Sequence, residues 1–137
     1  MWFRRKPRPP ERVQSALGEL TRVHQWWRTS ISWQGRELGV VLQRPTSQVP
    51  LETLVAVVMA ALPDLVALRE QALDYLHGLE PRIARETHML DAVGAAGARH
   101  GDGKGGPFLI LHFTLADDRN VIDVWFSGRQ PVDADYH

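Results

Sequence analysis

Cysteine is absent from this chain of 137 residues. Its absence excludes a disulfide framework, zinc sites with thiolate ligands and reactions that use a cysteine nucleophile. Lysine is scarce as well, since only Lys6 and Lys104 occur among the sixteen basic residues. The excess of arginine favours a bacterial source with a GC-rich genome, and the lack of cysteine is compatible with a reducing cytoplasm.

Long apolar runs are also missing from the sequence. The longest one, from Leu54 to Leu62, falls far short of the about 18 residues that a membrane-spanning helix needs. The basic residues near the N-terminus precede Pro7, Pro9 and Pro10 instead of the apolar stretch of a signal peptide. We therefore expect an unprocessed cytoplasmic protein without a membrane span.

Positive and negative charges balance over the whole chain, at sixteen each, and bulk charge therefore indicates no specific nucleic acid partner. Their placement is uneven, because residues 1–12 carry five basic residues and one acidic residue, a net charge of +4. We expect residues 1–16 to be a basic, proline-rich, disordered leader and residues 17–137 to be a single α+β domain. The alternative is a tail that touches anionic lipid or nucleic acid with its basic residues, Trp2 and Phe3.

Alternating side chains predict the strands of this domain. From Trp27 to Trp33, apolar and polar residues follow each other with a period of two, which is typical of a half-buried strand. Gly35 suits the tight turn of a hairpin. We predict strands at residues 17–23, 27–34, 37–43, 108–115 and 121–127. Residues 11–16 are expected to be irregular or one helical turn, and residues 128–137 a tail compatible with one more extended segment.

Three helices are expected between the third and fourth strands. The first, from Leu51 to Leu62, is apolar almost all round, which is typical of a helix in the core or at an interface. Pro63 separates it from a second helix at residues 64–77, and a third is expected at residues 80–93. Residues 94–107 are rich in glycine and predict a loop. The order βββ–ααα–ββ predicts an α+β fold, a five-stranded antiparallel sheet with the helices packed on one face.

Motifs that would identify an enzyme are incomplete. Lys104 in the glycine-rich loop is followed by Gly105, whereas a phosphate-binding loop needs serine or threonine there. The serines lie in no known nucleophile motif. An alternative enzyme would be metal-dependent and would gather His100, Asp102, His112 and Asp123, with His112 and Asp123 as neighbours on the last hairpin. We favour a protein without catalytic residues, metal or cofactor.

Several segments resemble a group of small bacterial domains. The segments are GELT at residues 18–21, WWRTSISWQGRELGVVL at 26–42, FLILHFTL at 108–115 and VIDVWF at 121–126. This pattern resembles small bacterial α+β domains of unknown function that are similar to immunity proteins of polymorphic toxin systems. The resemblance implies a β-meander followed by helices and a toxin as a binding partner, and it supplies no catalytic residues.

The leading hypothesis is a non-enzymatic, immunity-like module that recognises or neutralises a protein partner. Adjacent Trp26 and Trp27 must point to opposite faces of their strand, so Trp26 either is exposed beside Arg28 or packs around the edge of the sheet. The acidic C-terminal end would steer a basic toxin by charge. We predict partner binding by Trp26, Arg28, Asp117, Asp118, Asp123 and Trp125. A structural homodimer through the helix from Leu51 to Leu62 is the other alternative.

Overall fold

The computed structural model describes residues 8–81, 88–99, 106–115 and 121–136. Within these ranges the chain forms one eight-stranded sheet and one helical segment between the fourth and fifth strands. The strands are β1 (Arg12–Ser15), β2 (Gly18–Val23), β3 (Trp26–Trp33), β4 (Arg36–Gln43), β5 (His88–Ala96), β6 (Phe108–Leu115), β7 (Val121–Ser127) and β8 (Gln130–Tyr136). The helical segment consists of α1 (Leu51–Ala61), a 3-10 turn (Leu62–Asp64) and α2 (Leu65–Leu79).

Two antiparallel meanders, β1 to β4 and β5 to β8, make up the described sheet. They join through a parallel pairing of β4 with β5, in which Val40 lies opposite Val93. Parallel neighbours need a crossover connection, and α1 and α2 supply it by packing on one face of the sheet. We call the β4–β5 pairing the seam.

The seam brings backbone very close to Gly94. A Cβ atom at this position would overlap the carbonyl oxygen of Val41 and lie 3.1 Å from Nε2 of His112. Only glycine, which has no Cβ, allows this approach of the two strands without a shift of the backbone.

The main core lies between the helices and one face of the sheet. Leu38, Val40 and Leu42 alternate along β4 and are at most 1% exposed. Leu54 and Val58 of α1 are fully buried in the same cluster. Removing these side chains from water is the main favourable contribution to folding. The helical segment thus covers one face of the sheet.

The helical segment from Leu51 to Leu79 is long and apolar enough, by length and composition alone, to cross a membrane. Core helices of soluble proteins satisfy the same criterion. Leu65, Leu68 and Leu76 of α2 are buried in the main core, so the apolar residues of this segment have a packing role within the fold. Only 33% of its most apolar window is buried, however, which leaves apolar side chains on the surface.

The predicted five-stranded antiparallel sheet with three helices is wrong. The structure has eight strands in one mixed sheet and one helical segment within the described residues. The largest error concerns residues 80–93, because His88–Ala96 forms β5 while residues 82–87 lie outside the described ranges. The strand was missed because residues 92–96 are buried on both faces, which removes the alternation of apolar and polar side chains in that half of the strand.

The other predicted strands correspond to β2, β3, β4, β6 and β7 with small changes of boundary. The hairpin turn between β3 and β4 consists of Gln34 and Gly35, both with positive φ, as a type I′ turn requires. Two edge strands, β1 and β8, add to these. The strand Arg12–Ser15 replaces the irregular or helical structure expected for residues 11–16, and Gln130–Tyr136 is the additional extended segment of the tail.

We expect Gly94→Ala to lower the free energy of unfolding by about 1–3 kcal/mol, because the new methyl group overpacks the seam. The matched control is Gly78→Ala in α2, where a Cβ would meet no atom within 4 Å. That control should leave stability unchanged or raise it by up to about 1 kcal/mol, since alanine favours the helix. Urea unfolding followed by circular dichroism measures both changes. Equal stability of Gly94→Ala and the unaltered protein would contradict the close approach at the seam.

Candidate functional site

Trp26 lies on the surface of β3, on the face of the sheet opposite the helices. Its side chain is 40% exposed, and Cζ of Arg28 lies 5.1 Å from the centre of its ring. A guanidinium over an indole face is attracted by the electron-rich ring and keeps both groups in place. The structure thus supports the exposed alternative for Trp26, and the pair forms a small platform of an aromatic ring and a positive charge.

His112 and Asp123 meet across β6 and β7, as the sequence predicted. The two residues are directly opposite in the register, and Nδ1 of His112 lies 2.6 Å from Oδ1 of Asp123. Both side chains are 13% exposed. The carboxylate accepts a hydrogen bond from the Nδ1 proton, so that in the neutral imidazole Nε2 would carry a lone pair.

This pair is poorly placed for chemistry. Nε2 of His112 is buried beside Gly94 and has no hydrogen-bond partner among the described residues. A general base must come within hydrogen-bond distance of its substrate, and a buried Nε2 beside the backbone leaves no room for one. His100 and Asp102, the other members of the predicted metal site, lie outside the described residues. Among the residues that the structure describes, no group of three or more His, Asp or Glu is placed to hold a metal ion.

Trp125 is buried rather than exposed, and the prediction of partner binding by its ring is not supported. It is 3% exposed and packs edge-to-face on Phe108, with ring centres 5.7 Å apart. Cζ of Arg99 lies 5.5 Å from the centre of the indole, and Arg99 also forms an ion pair with Asp133. Trp125 belongs to a second apolar cluster on the outer face of the sheet, away from the helices.

The carboxylates of the predicted acidic surface that the structure describes are buried or paired with basic groups. Asp123 is buried and hydrogen-bonded to His112, and Asp133 is paired with Arg99. A carboxylate that is buried or already paired contributes little to the long-range attraction of a basic partner. Asp117 and Asp118 lie outside the described residues. Of the six predicted binding residues, the structure therefore places Trp26 and Arg28 together on the surface.

An apolar groove with a volume of about 750 Å³ lies between β1 and α1. Val13, on the edge strand, and Met59, on the helix, border it and are 41% and 40% exposed. Leu20, Leu51, Val55 and Ala56 complete most of its apolar wall. The sequence indicated the helical wall through the uncharged run from Leu51 to Leu62. It did not indicate Val13, because β1 was not recognised as a strand.

The groove continues onto an apolar helix surface. Ala56, Met59, Ala60 and Pro63 are exposed, and Val66 at the start of α2 is 53% exposed. The sequence has no charged residue between Glu52 and Asp64. A helix side that faces water is normally polar or charged, so this composition marks a surface that is suited to contact with another molecule. We call the groove and this helix side together the α1 surface.

Comparison with known proteins supplies no relative. The chain matches no protein-family model, no curated protein and no solved structure. The arguments about function therefore depend on the geometry of the chain itself.

Asp123→Ala should destabilise the fold by about 1–3 kcal/mol, because it leaves the buried Nδ1 proton of His112 without an acceptor. Glu11→Ala is the control, since it also removes a carboxylate from a contact, the ion pair with Arg22 at 3.0 Å, but at a side chain that is 65% exposed. That change should stay within about 0.5 kcal/mol. Urea unfolding measures the free energy of unfolding of both variants. An equally small decrease in the two would show that the His112–Asp123 hydrogen bond does not stabilise the fold.

Proposed function

We propose that this protein is a protein-binding module and that the α1 surface is its docking site. The observation that carries the proposal is the open, apolar groove of about 750 Å³ between β1 and α1. Contact with a partner would remove Val13 and Met59 from water, and apolar burial of this kind is the main driving force of most protein association. Methionine adapts its shape to a partner more easily than branched side chains do, which suits Met59 to a contact surface.

The edge of the sheet adds a second means of recognition. Within the described sheet, β1 pairs with β2 on one side only, so backbone N–H and C=O groups on its other side are available to an added strand. An extended segment of a partner could pair with β1 and insert an apolar side chain into the groove beside it.

Charges near β1 favour an apolar rather than an ionic contact. Arg12 pairs with Glu19, and Arg22 pairs with Glu11, with N···O distances of 3.5 and 3.0 Å. These exposed charges already have partners, so a binding protein would gain little from them. Shape and apolar area would then determine affinity at the α1 surface.

The sequence resemblance suggests a specific form of this proposal, an immunity-like role in which the partner is a bacterial toxin. Charge steering through Asp123 is not part of it, since that carboxylate is held by His112. Trp26 and Arg28 provide a smaller contact on the opposite face of the sheet and could bind a second region of the partner.

A homodimer is the second candidate, and it would use the same surface. Ala56 and Ala60 are exposed one helical turn apart on α1. Small side chains at this spacing allow a second helix to approach closely, with Met59 packing into the space between them. The two candidates differ in the mass of the complex, which makes them separable by experiment.

A photo-crosslinking amino acid introduced in place of Met59 should form a covalent adduct with one partner protein in cells of the source organism. The same residue at Gln71, which is exposed on α2 outside the groove, is the control and should give none. Ala56→Asp should reduce the adduct at least several-fold, because a carboxylate would have to lose its water in the apolar contact. An adduct with a different protein supports the binding module, and one of twice the protein's mass, with a dimer in light scattering, supports the homodimer. No adduct at position 59, or equal adducts at both positions, would contradict the α1 surface.

A further inference from the structure

A second, smaller cavity lies where the β3–β4 hairpin, α2 and the start of β5 meet. Its volume is about 270 Å³, and it shares no lining residue with the groove between β1 and α1. Its walls include two arginines, Arg36 and Arg69, and the buried imidazole of His88. Trp33, Val66 and Met89 supply apolar wall. Two guanidinium groups at one cavity of this size are unusual for a purely structural space, because like charges repel each other.

No carboxylate of the described residues neutralises Arg36, which is held in place by other contacts. Its guanidinium donates a hydrogen bond to the carbonyl oxygen of Leu90 and lies with Cζ 5.7 Å from the centre of the Trp33 ring. The parallel seam explains the hydrogen bond to Leu90, since parallel strands begin at the same end of the sheet and Arg36 and Leu90 both lie near the starts of their strands. Among the described residues, Arg36 has no ion pair. A guanidinium has five N–H donors, so several remain for a ligand.

Arg69 approaches the same cavity from α2. One of its nitrogens lies 3.5 Å from the carbonyl oxygen of His88, and another lies 2.9 Å from the carboxylate of Glu70. The Glu70 side chain is 51% exposed, so water weakens this ion pair. Among the residues that line the cavity or pair with them in the described structure, Glu70 offsets one of the two positive charges and the charge of Arg36 remains.

We propose that this cavity binds a small molecule that carries an oxyanion, either a phosphate or a carboxylate, joined to a compact apolar group. The planar fork of a guanidinium matches the oxygen atoms of both groups and can bind them through two parallel hydrogen bonds. The Trp33 ring, Val66 and Met89 would contact the apolar part. A volume near 270 Å³ is at the small end for ligand sites, which favours a small molecule over a peptide.

This proposal does not depend on the docking site proposed above, because the cavity shares no lining residue with the groove between β1 and α1 and meets the α1 surface only at Val66. It adds a ligand-binding activity to a protein proposed above to bind another protein. The ligand would lie between α2 and the sheet, in contact with the β3–β4 hairpin of the first meander and with the start of β5 in the second.

Isothermal titration calorimetry with phenyl phosphate and with benzoate tests the proposal on the full chain. Both probes carry a phenyl ring and an oxyanion, and phenol carries the same ring without the charge. We expect saturable 1:1 binding of at least one of the two anions and none of phenol. The preferred anion identifies which oxyanion the site accepts. The indole N–H signal of Trp33 in a nitrogen–proton correlation spectrum should shift with the same saturation curve.

Arg36→Gln should weaken binding of the preferred anion by about tenfold or more, since it removes a charged hydrogen-bond donor. Arg36→Lys should retain part of the affinity because the charge remains. The matched control is Arg22→Gln, which also removes an arginine from the sheet, but one that lies on β2 outside the cavity and is paired with Glu11. The affinity of this control variant for the preferred anion should equal that of the unaltered protein. If Arg36→Gln fails to fold, Arg69→Gln replaces it, with an expected loss of several-fold.

Three results would overturn the proposal. The first is the absence of saturable binding of both anions at millimolar concentration. The second is equal binding by Arg36→Gln and Arg22→Gln, with circular dichroism showing both folded. The third is binding of phenol as tightly as of the anions, which would make the cavity an apolar site without charge recognition.

Discussion

The parallel seam between β4 and β5 is the constraint on which the other features of this molecule depend. Each meander on its own has a free edge at this position, and their pairing makes one continuous sheet. The seam requires a crossover, and α1 and α2 serve both as that crossover and as the cover of the main core. It also requires glycine at position 94, where backbone of the neighbouring strand occupies the space of a side chain. Chain connection, core and close packing therefore depend on a single strand pairing.

Both candidate binding regions follow from this arrangement. The crossover leaves one side of α1 facing water, and the sequence places Met59 and its apolar neighbours there instead of charges. The edge strand β1 lies beside that helix and closes one side of the groove. At the other cavity, the parallel direction of the two central strands brings Arg36 next to the carbonyl oxygen of Leu90. The outer face of the sheet contrasts with both, because Trp125 and the His112–Asp123 pair are buried and act in packing.

Local patterns in the sequence predicted the half-buried strands and failed for the central strand. The alternation around Ile31 and the turn at Gly35 led to correct positions for β3 and β4. The outer face of β5 carries the small residues Ala92, Gly94 and Ala96, and residues 92–96 are buried on both faces, so this half of the strand has no alternation of apolar and polar side chains and few of the branched residues that are typical of strands. Exposure was harder to predict than strand position. Trp125 looks outward in the alternation, but its covering by Arg99 is a tertiary contact with no local signal. Local patterns likewise could not predict that Arg36 of β4 and Arg69 of α2 line one cavity, because their proximity depends on the pairing of β4 with β5.

Native-state hydrogen exchange is the most direct test of the claim that the seam unites the sheet. Amide protons in β4 and β5 would be compared with those in β6 and β7, which form the centre of the second meander. If the seam holds one cooperative unit, the slowest amides of all four strands should exchange with the same free energy, that of global unfolding. Faster exchange in β4, while β6 and β7 stay protected, would show that the two meanders open separately, and that result would contradict the account.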